Sequence, residues 1–126
     1  MTSAALKSFI VDMHRRMRHI YQPKMIVTLL ASGWASDDDI VSAFLEEPEC
    51  SGKSRIQLLK VLNRVDKRRP TAPGQVLTAH GAVERRNGGH ALIGFDQLSE
   101  EQKAEIRELC RQALEEYRQG VPSFAA

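Results

Sequence analysis

Cysteine is scarce in this chain of 126 residues: Cys50 and Cys110 are the only two. They lie far apart, and neither has a second cysteine or a histidine at metal-ligand spacing, so the expectation is two reduced thiols, with Cys110 on the apolar face of a helix. No apolar run approaches the roughly 18 residues that would span a bilayer. The start, MTSAALKSF, lacks the charged, apolar and small-residue order of a secretory signal. A soluble, cytoplasmic protein with no membrane association is therefore expected. There is no internal repeat and no low-complexity segment. The length and the 42% hydrophobic composition suit one domain over 1–126 rather than two independent cores.

Catalytic signatures are also missing. CSGKS at 50–54 resembles a phosphate-binding loop, but that motif needs a glycine where Glu47 stands, and it should follow a strand rather than a helical segment. His14 and His19 are five apart, a poor step for two ligands on one helix face, and His80 reads as a helix-terminal imidazole. No serine, cysteine or carboxylate shows recognisable nucleophile spacing. The reading is no enzyme, no cofactor and no metal site.

What is present is a pattern of helices. Leu6, Phe9, Ile10, Met13, Met17 and Ile20 recur at steps of three and four, predicting an amphipathic helix over 3–20. Pro23 fits the first turn of a helix over 23–32, which Gly33 closes in the left-handed conformation. Trp34-Ala35 leaves room for a short extended bridge. Ser36 then caps a helix over 37–46 whose first turn holds Asp37, Asp38 and Asp39, where exposed N–H groups and the helix dipole favour acids. Pro48 and Gly52 break the chain before a helix over 53–68, with Ile56, Leu59, Leu62 and Val65 inward. Pro73 opens a short helix that Gly81 ends. Ser99 and Gln102 form a capping box for a last helix over 100–119, with Ile106, Leu109, Cys110, Ala113, Leu114 and Tyr117 as its stripe.

Between the last two helices lies HGAVERRNGGHALIGF, residues 80–95, alternating like strands on both sides of Asn87-Gly88. A two-residue loop puts Val83 opposite Leu92; a three-residue loop puts it opposite Ile93. The residues leave both registers open.

The net charge of +2 is unremarkable, but its distribution is not. Residues 51–91 carry nine Lys/Arg against Asp66 and Glu84, while 36–50 carry six acids and no Lys/Arg. Lys53, Lys60, Arg64 and Lys67 fall at steps of 7, 4 and 3, one face of a helix, with Arg68 and Arg69 following. Such a ridge suits phosphate neutralisation.

The order of helices followed by a tight hairpin is that of a winged helix-turn-helix, here mainly α and flanked by the long terminal helices. The wing would be 82–95, with Arg85, Arg86, Asn87 and His90 near its tip for phosphates or a minor groove. Gln75 and Thr78 would face base edges while Val76 and Leu77 pack inward, unless they are ordinary solvated side chains or the 53–68 helix takes that role.

The strings YQPKMIVTLLASGWAS and RPTAPGQVLTAHGAVERRNGGHALIGFDQLSEEQKAEIRELC carry a resemblance over roughly residues 19 to 118, most specifically in HGAVER and FDQLSEEQ. They resemble an accessory winged-helix domain at the N-terminus of bacterial proteins that continue into HNH endonuclease or histidine-triad domains. The resemblance implies a DNA-associated role in restriction or defence, with double-stranded DNA as partner. It does not imply cleavage, since the HNH motif is absent from the 126 residues. The alternative expectation is a protein-interaction adaptor or inhibitor of winged-helix shape, docking on a nucleic-acid-processing complex. A homodimer through the terminal helices fits either.

Overall fold

The computed structural model describes residues 2–16, 20–64 and 73–119, and all side chains in them except those of 12–16. Among the described residues there are six α-helices and a small three-stranded antiparallel sheet. Helix α1 is Ser3–Arg16, α2 is Tyr21–Leu30 and strand β1 is Trp34–Ser36. Helix α3 is Asp37–Leu45, α4 is Arg55–Asn63 and α5 is Pro73–Ala79. Strands β2, Val83–Arg86, and β3, Gly89–Leu92, then precede α6, Glu100–Gln119. Short 3-10 turns fill Pro48–Cys50 and Phe95–Gln97. No described helix is long and apolar enough to cross a membrane.

The punctuation works largely as the residues dictate. Gly33 takes φ +83° behind α2, where a Cβ would be strained. Ser36 Oγ accepts the Asp39 N–H at 3.1 Å, capping α3. Ser99 and Gln102 exchange both capping-box bonds, at 3.1 and 2.9 Å. Asn87 and Gly88 both have positive φ, 49° and 72°, the twist that a two-residue hairpin loop needs. That loop decides the register: Val83 pairs with Leu92 and Arg85 with His90.

Trp34-Ala35 does more than bridge two helices. With Ser36 it forms a third strand, giving the order β1-β3-β2, with Trp34 opposite Ala91 and Ser36 opposite Gly89. Two further bonds bracket it, Leu92 N–H to Gly33 O at 2.8 Å and Asp37 N–H to Gly88 O at 3.0 Å. The pairing depends on glycine at 89, because a Cβ there would stand 2.1 Å from Ala35 O. The Trp34 indole crosses β3 and donates Nε1–H to Arg86 O at 2.8 Å.

One hydrophobic core draws on every helix and the sheet: Leu6 and Ile10 of α1, Met25 and Leu29 of α2, Phe44 of α3, Leu62 of α4, Leu77 of α5, Val83 of β2 and Ile106 of α6. Each fully buried side chain of this size contributes about 2 kcal/mol. Phe9 of α1 and Leu109, Leu114 and Tyr117 of α6 pack against this core while partly exposed.

Helix α4 departs from the expected 53–68 span. Ser54, not a residue of the helix interior, caps it through a full capping box with Gln57. The helix ends at Asn63, where Arg64 turns to extended backbone at ψ 136°. The buried face also differs from the expected one: Leu58 and Leu62 are fully buried, whereas Ile56, expected inward, is 67% exposed. Lys53 lies ahead of the helix, donating to the Tyr21 hydroxyl at 2.9 Å, so it is not on a ridge with Lys60 and Arg64. Lys67, Arg68 and Arg69, with the end of the expected ridge, fall outside the described residues, as do 17–19 of the expected 3–20 helix.

Candidate nucleic-acid interface

Three elements converge on one groove: the C-terminal end of α4, helix α5 and the hairpin. Leu62 and Leu77, both fully buried, pin α4 and α5 to the core and turn Lys60, Asn63 and Arg64 outward. Gly74 lets the start of α5 come close, since a Cβ there would meet Leu62 O at 2.7 Å and His90 Nε2 at 3.2 Å. The resulting groove, about 660 Å³, is lined by residues including Asn63, Arg64, Gln75, Thr78, Arg85 and His90.

A polar cluster sits against it. Asp37, the first residue of α3, is 9% exposed, and its Oδ2 accepts from Arg85 NH2 at 2.9 Å and Asn63 Nδ2 at 3.1 Å. Asn63 returns a bond by accepting from Arg85 NH1 at 3.0 Å, so carboxylate, amide and guanidinium close a ring across α3, α4 and β2. On its other oxygen, Asp37 meets His90 Nδ1 at 3.2 Å, but without hydrogen-bond alignment, and neither atom has another partner. Burial pushes the His90 imidazole below its ordinary value; the Asp37 carboxylate opposes the shift and the Arg85 charge reinforces it.

One expectation for the wing is corrected here. His90 is not at the tip and available to phosphate: it is 3% exposed, because pairing with both β1 and β2 puts β3 in the middle of the sheet. Arg85 and Arg86 lie on the hairpin but point to opposite sides of it. Successive strand residues face opposite sides, so Arg85 turns to the α4–α5 groove and Arg86 to the outer face beside Trp34, where it pairs with Glu84. Asn87 is exposed at the tip, as expected.

The basic character of 51–91 is also narrower than the count of charges implies. Among the described residues, Arg55 pairs with Asp38 at 2.6 Å, Arg85 with Asp37 and Arg86 with Glu84. Lys60 and Arg64, both exposed, have no carboxylate in reach among the described residues. Thr78 is exposed, but its hydroxyl donates to Gly74 O at 2.6 Å, leaving its oxygen as an acceptor; Gln75 is half-buried and already engaged. His80 is exposed, its Nδ1 lies 2.9 Å from Val76 O, and its ring rests against Phe9 at 4.9 Å.

A different network ties α2, the turn over 47–49 and α6 together. Lys24 and Arg118 converge on Glu47, and Arg118 also takes Glu49 at 2.8 Å. Burial would raise the Glu47 carboxyl, but Lys24 and Arg118 outweigh it and hold the group below the usual range. No group of three or more His, Cys, Asp or Glu among the described residues is placed to hold a metal ion.

Asp37 and Asn63 carry no signal of their own in the sequence. Asp37 reads as one of three dipole-compensating acids, and only the pairing of β1 with β3 sets it apart by placing it beside Gly88, His90 and Arg85. Compared with known proteins, the chain matches no family model, no curated sequence and no solved structure.

Proposed function

We propose that this chain is a winged-helix module that binds duplex DNA through the face built from the end of α4, helix α5 and the β2–β3 hairpin. The observation that carries the reading is the position of Lys60 and Arg64. Neither has a carboxylate partner among the described residues, and, unlike Lys53, which donates to the Tyr21 hydroxyl, Arg64 lines the groove beside Gln75 and Thr78. Supporting it are the helix order, the strand order β1-β3-β2 and the placement of α5 directly before the hairpin, which match the layout of winged helices. The resemblance to accessory domains of HNH proteins supports a place in restriction or defence, beside a nuclease that cleaves.

Lys60 and Arg64 serve as phosphate contacts in this reading, with Lys67, Arg68 and Arg69 following in the chain, and α5 supplies the groove-facing surface. A fluorescence-polarisation titration of duplex DNA against salt tests it. Micromolar binding at about 50 mM salt is expected, weakening linearly in a log–log plot with a slope near 0.9 per neutralised phosphate. Lys60→Glu with Arg64→Glu is expected to lower that slope by about 2, while Arg107→Glu on exposed α6 leaves it unchanged. Absence of binding at low salt, or indifference to the double substitution, refutes the proposal.

One observation favours a second reading, a protein-docking module. Ile56 is 67% exposed and, with Leu59 and Lys60, lines a shallow depression of about 550 Å³. In this reading Ile56 is the apolar anchor that a partner protein would cover. Ile56→Ser separates the readings: it leaves DNA affinity intact in the first and abolishes partner capture in the second.

A further inference from the structure

Arg85 looks neutralised, yet its geometry is that of a group held ready. Its side chain is 54% exposed while that of Asp37, its partner, is 13% exposed. The buried carboxylate therefore fixes the exposed guanidinium, not the reverse. Asp37 engages one terminal nitrogen and Asn63 the other, which uses two of the five N–H donors of an arginine. Three remain, the Nε donor among them, on a guanidinium that faces the groove. Asp37 is itself steadied by the Asn63 amide and by its place in the first turn of α3, where the helix dipole favours a negative charge.

We infer that the groove seats one phosphate group between Arg64 and Arg85, and that Asp37, with Asn63, is the positioning element that aims Arg85 at it. The inference rests on the nucleic-acid reading above for the phosphate's source, a backbone phosphodiester. An arginine already fixed in its binding rotamer loses less freedom on binding than one that must be ordered. The sign of one substitution follows. By simple electrostatics, removing a carboxylate from a phosphate-binding face strengthens binding. By the positioning role, it frees Arg85 and weakens binding.

The test measures duplex DNA affinity and its salt slope for the full chain and for Asp37→Asn, Arg85→Gln and the double variant. Asp37→Asn is expected to weaken binding by roughly three- to tenfold and to flatten the slope by up to about 1, the share of one phosphate. In the Arg85→Gln background it is expected to add nothing, since the group it positions is gone. Asn63→Ala, at an exposed residue, repeats the test without touching the first turn of α3, should Asp37→Asn fail to fold. Unchanged or tighter binding in Asp37→Asn and in Asn63→Ala overturns the inference. A second arm uses inorganic pyrophosphate and follows the Arg85 Nε–H signal by NMR. A shift in the wild type that Asp37→Asn abolishes upholds the seat even if duplex DNA does not bind, in which case the DNA reading alone fails. No shift and no DNA binding overturn both.

Discussion

Gly89→Ala probes the contact on which the sheet and the groove depend. The added Cβ would lie 2.1 Å from Ala35 O, 2.8 Å from Ser36 Cα and 2.9 Å from Ala35 C. All three are backbone atoms of β1 or its end, so no side chain can swing aside. Relief requires β1 to move away from β3 by about an ångström, which breaks or lengthens the bonds bracketing the strand, Leu92 N–H to Gly33 O and Asp37 N–H to Gly88 O. Two such bonds at about 1 kcal/mol each, with overpacking strain of about 1–3 kcal/mol, give a loss of roughly 3–5 kcal/mol. For a chain of this size that lowers Tm by about 12–20 °C. Two neighbours calibrate the assay. At Gly88, with φ +72° and open space around it, alanine is expected to cost about 1 kcal/mol of backbone strain. At Gly52, with nothing within 4 Å, the change is expected to stay within about 0.5 kcal/mol. Urea unfolding followed by circular dichroism ranks the three. A Gly89→Ala protein as stable as Gly52→Ala would mean that β1 does not pair with β3 in this register.

Further outcomes follow from the same contacts. Ser54→Ala removes the α4 cap and is expected to cost about 1 kcal/mol in urea unfolding. Because the His90 imidazole is held below its ordinary value, the unfolded chain takes up that proton first as pH falls. Stability contributed by neutral His90 is therefore present above about 6.5 and declines as pH drops from there toward the lower folded value; His90→Gln, measured from pH 7 to 5, is expected to flatten that slope. Burial pushes the Cys110 thiol up to about 12 and the Cys50 thiol above its ordinary value. Both are expected to resist Ellman's reagent until denaturant is added, and rapid native labelling would contradict their burial.

Local chemistry made much of the architecture readable in advance. The caps at Ser36 and Ser99, the left-handed Gly33, and the Asn87-Gly88 loop each act over a few residues, so the relevant partners lie within the same stretch of chain. Failures came where a distant element decided the outcome. The packing of α4 through Leu58 and Leu62 left Ile56 facing outward. The pairing of β1 with β3 buried His90, and it made Asp37 an anchor rather than one acid among three. Charge counting overstated the basic face for the same reason: Asp37 and Asp38 approach Arg85 and Arg55 only in the folded chain.

The central claim is that one face, and not the molecule's charge in general, meets DNA. Amide chemical-shift mapping with a short duplex tests it most directly. The expected result is perturbation confined to Lys60–Arg64, Pro73–His80 and Val83–His90, with α6 silent. Shifts centred on α2 and α6, or spread evenly over exposed lysines and arginines, would contradict it.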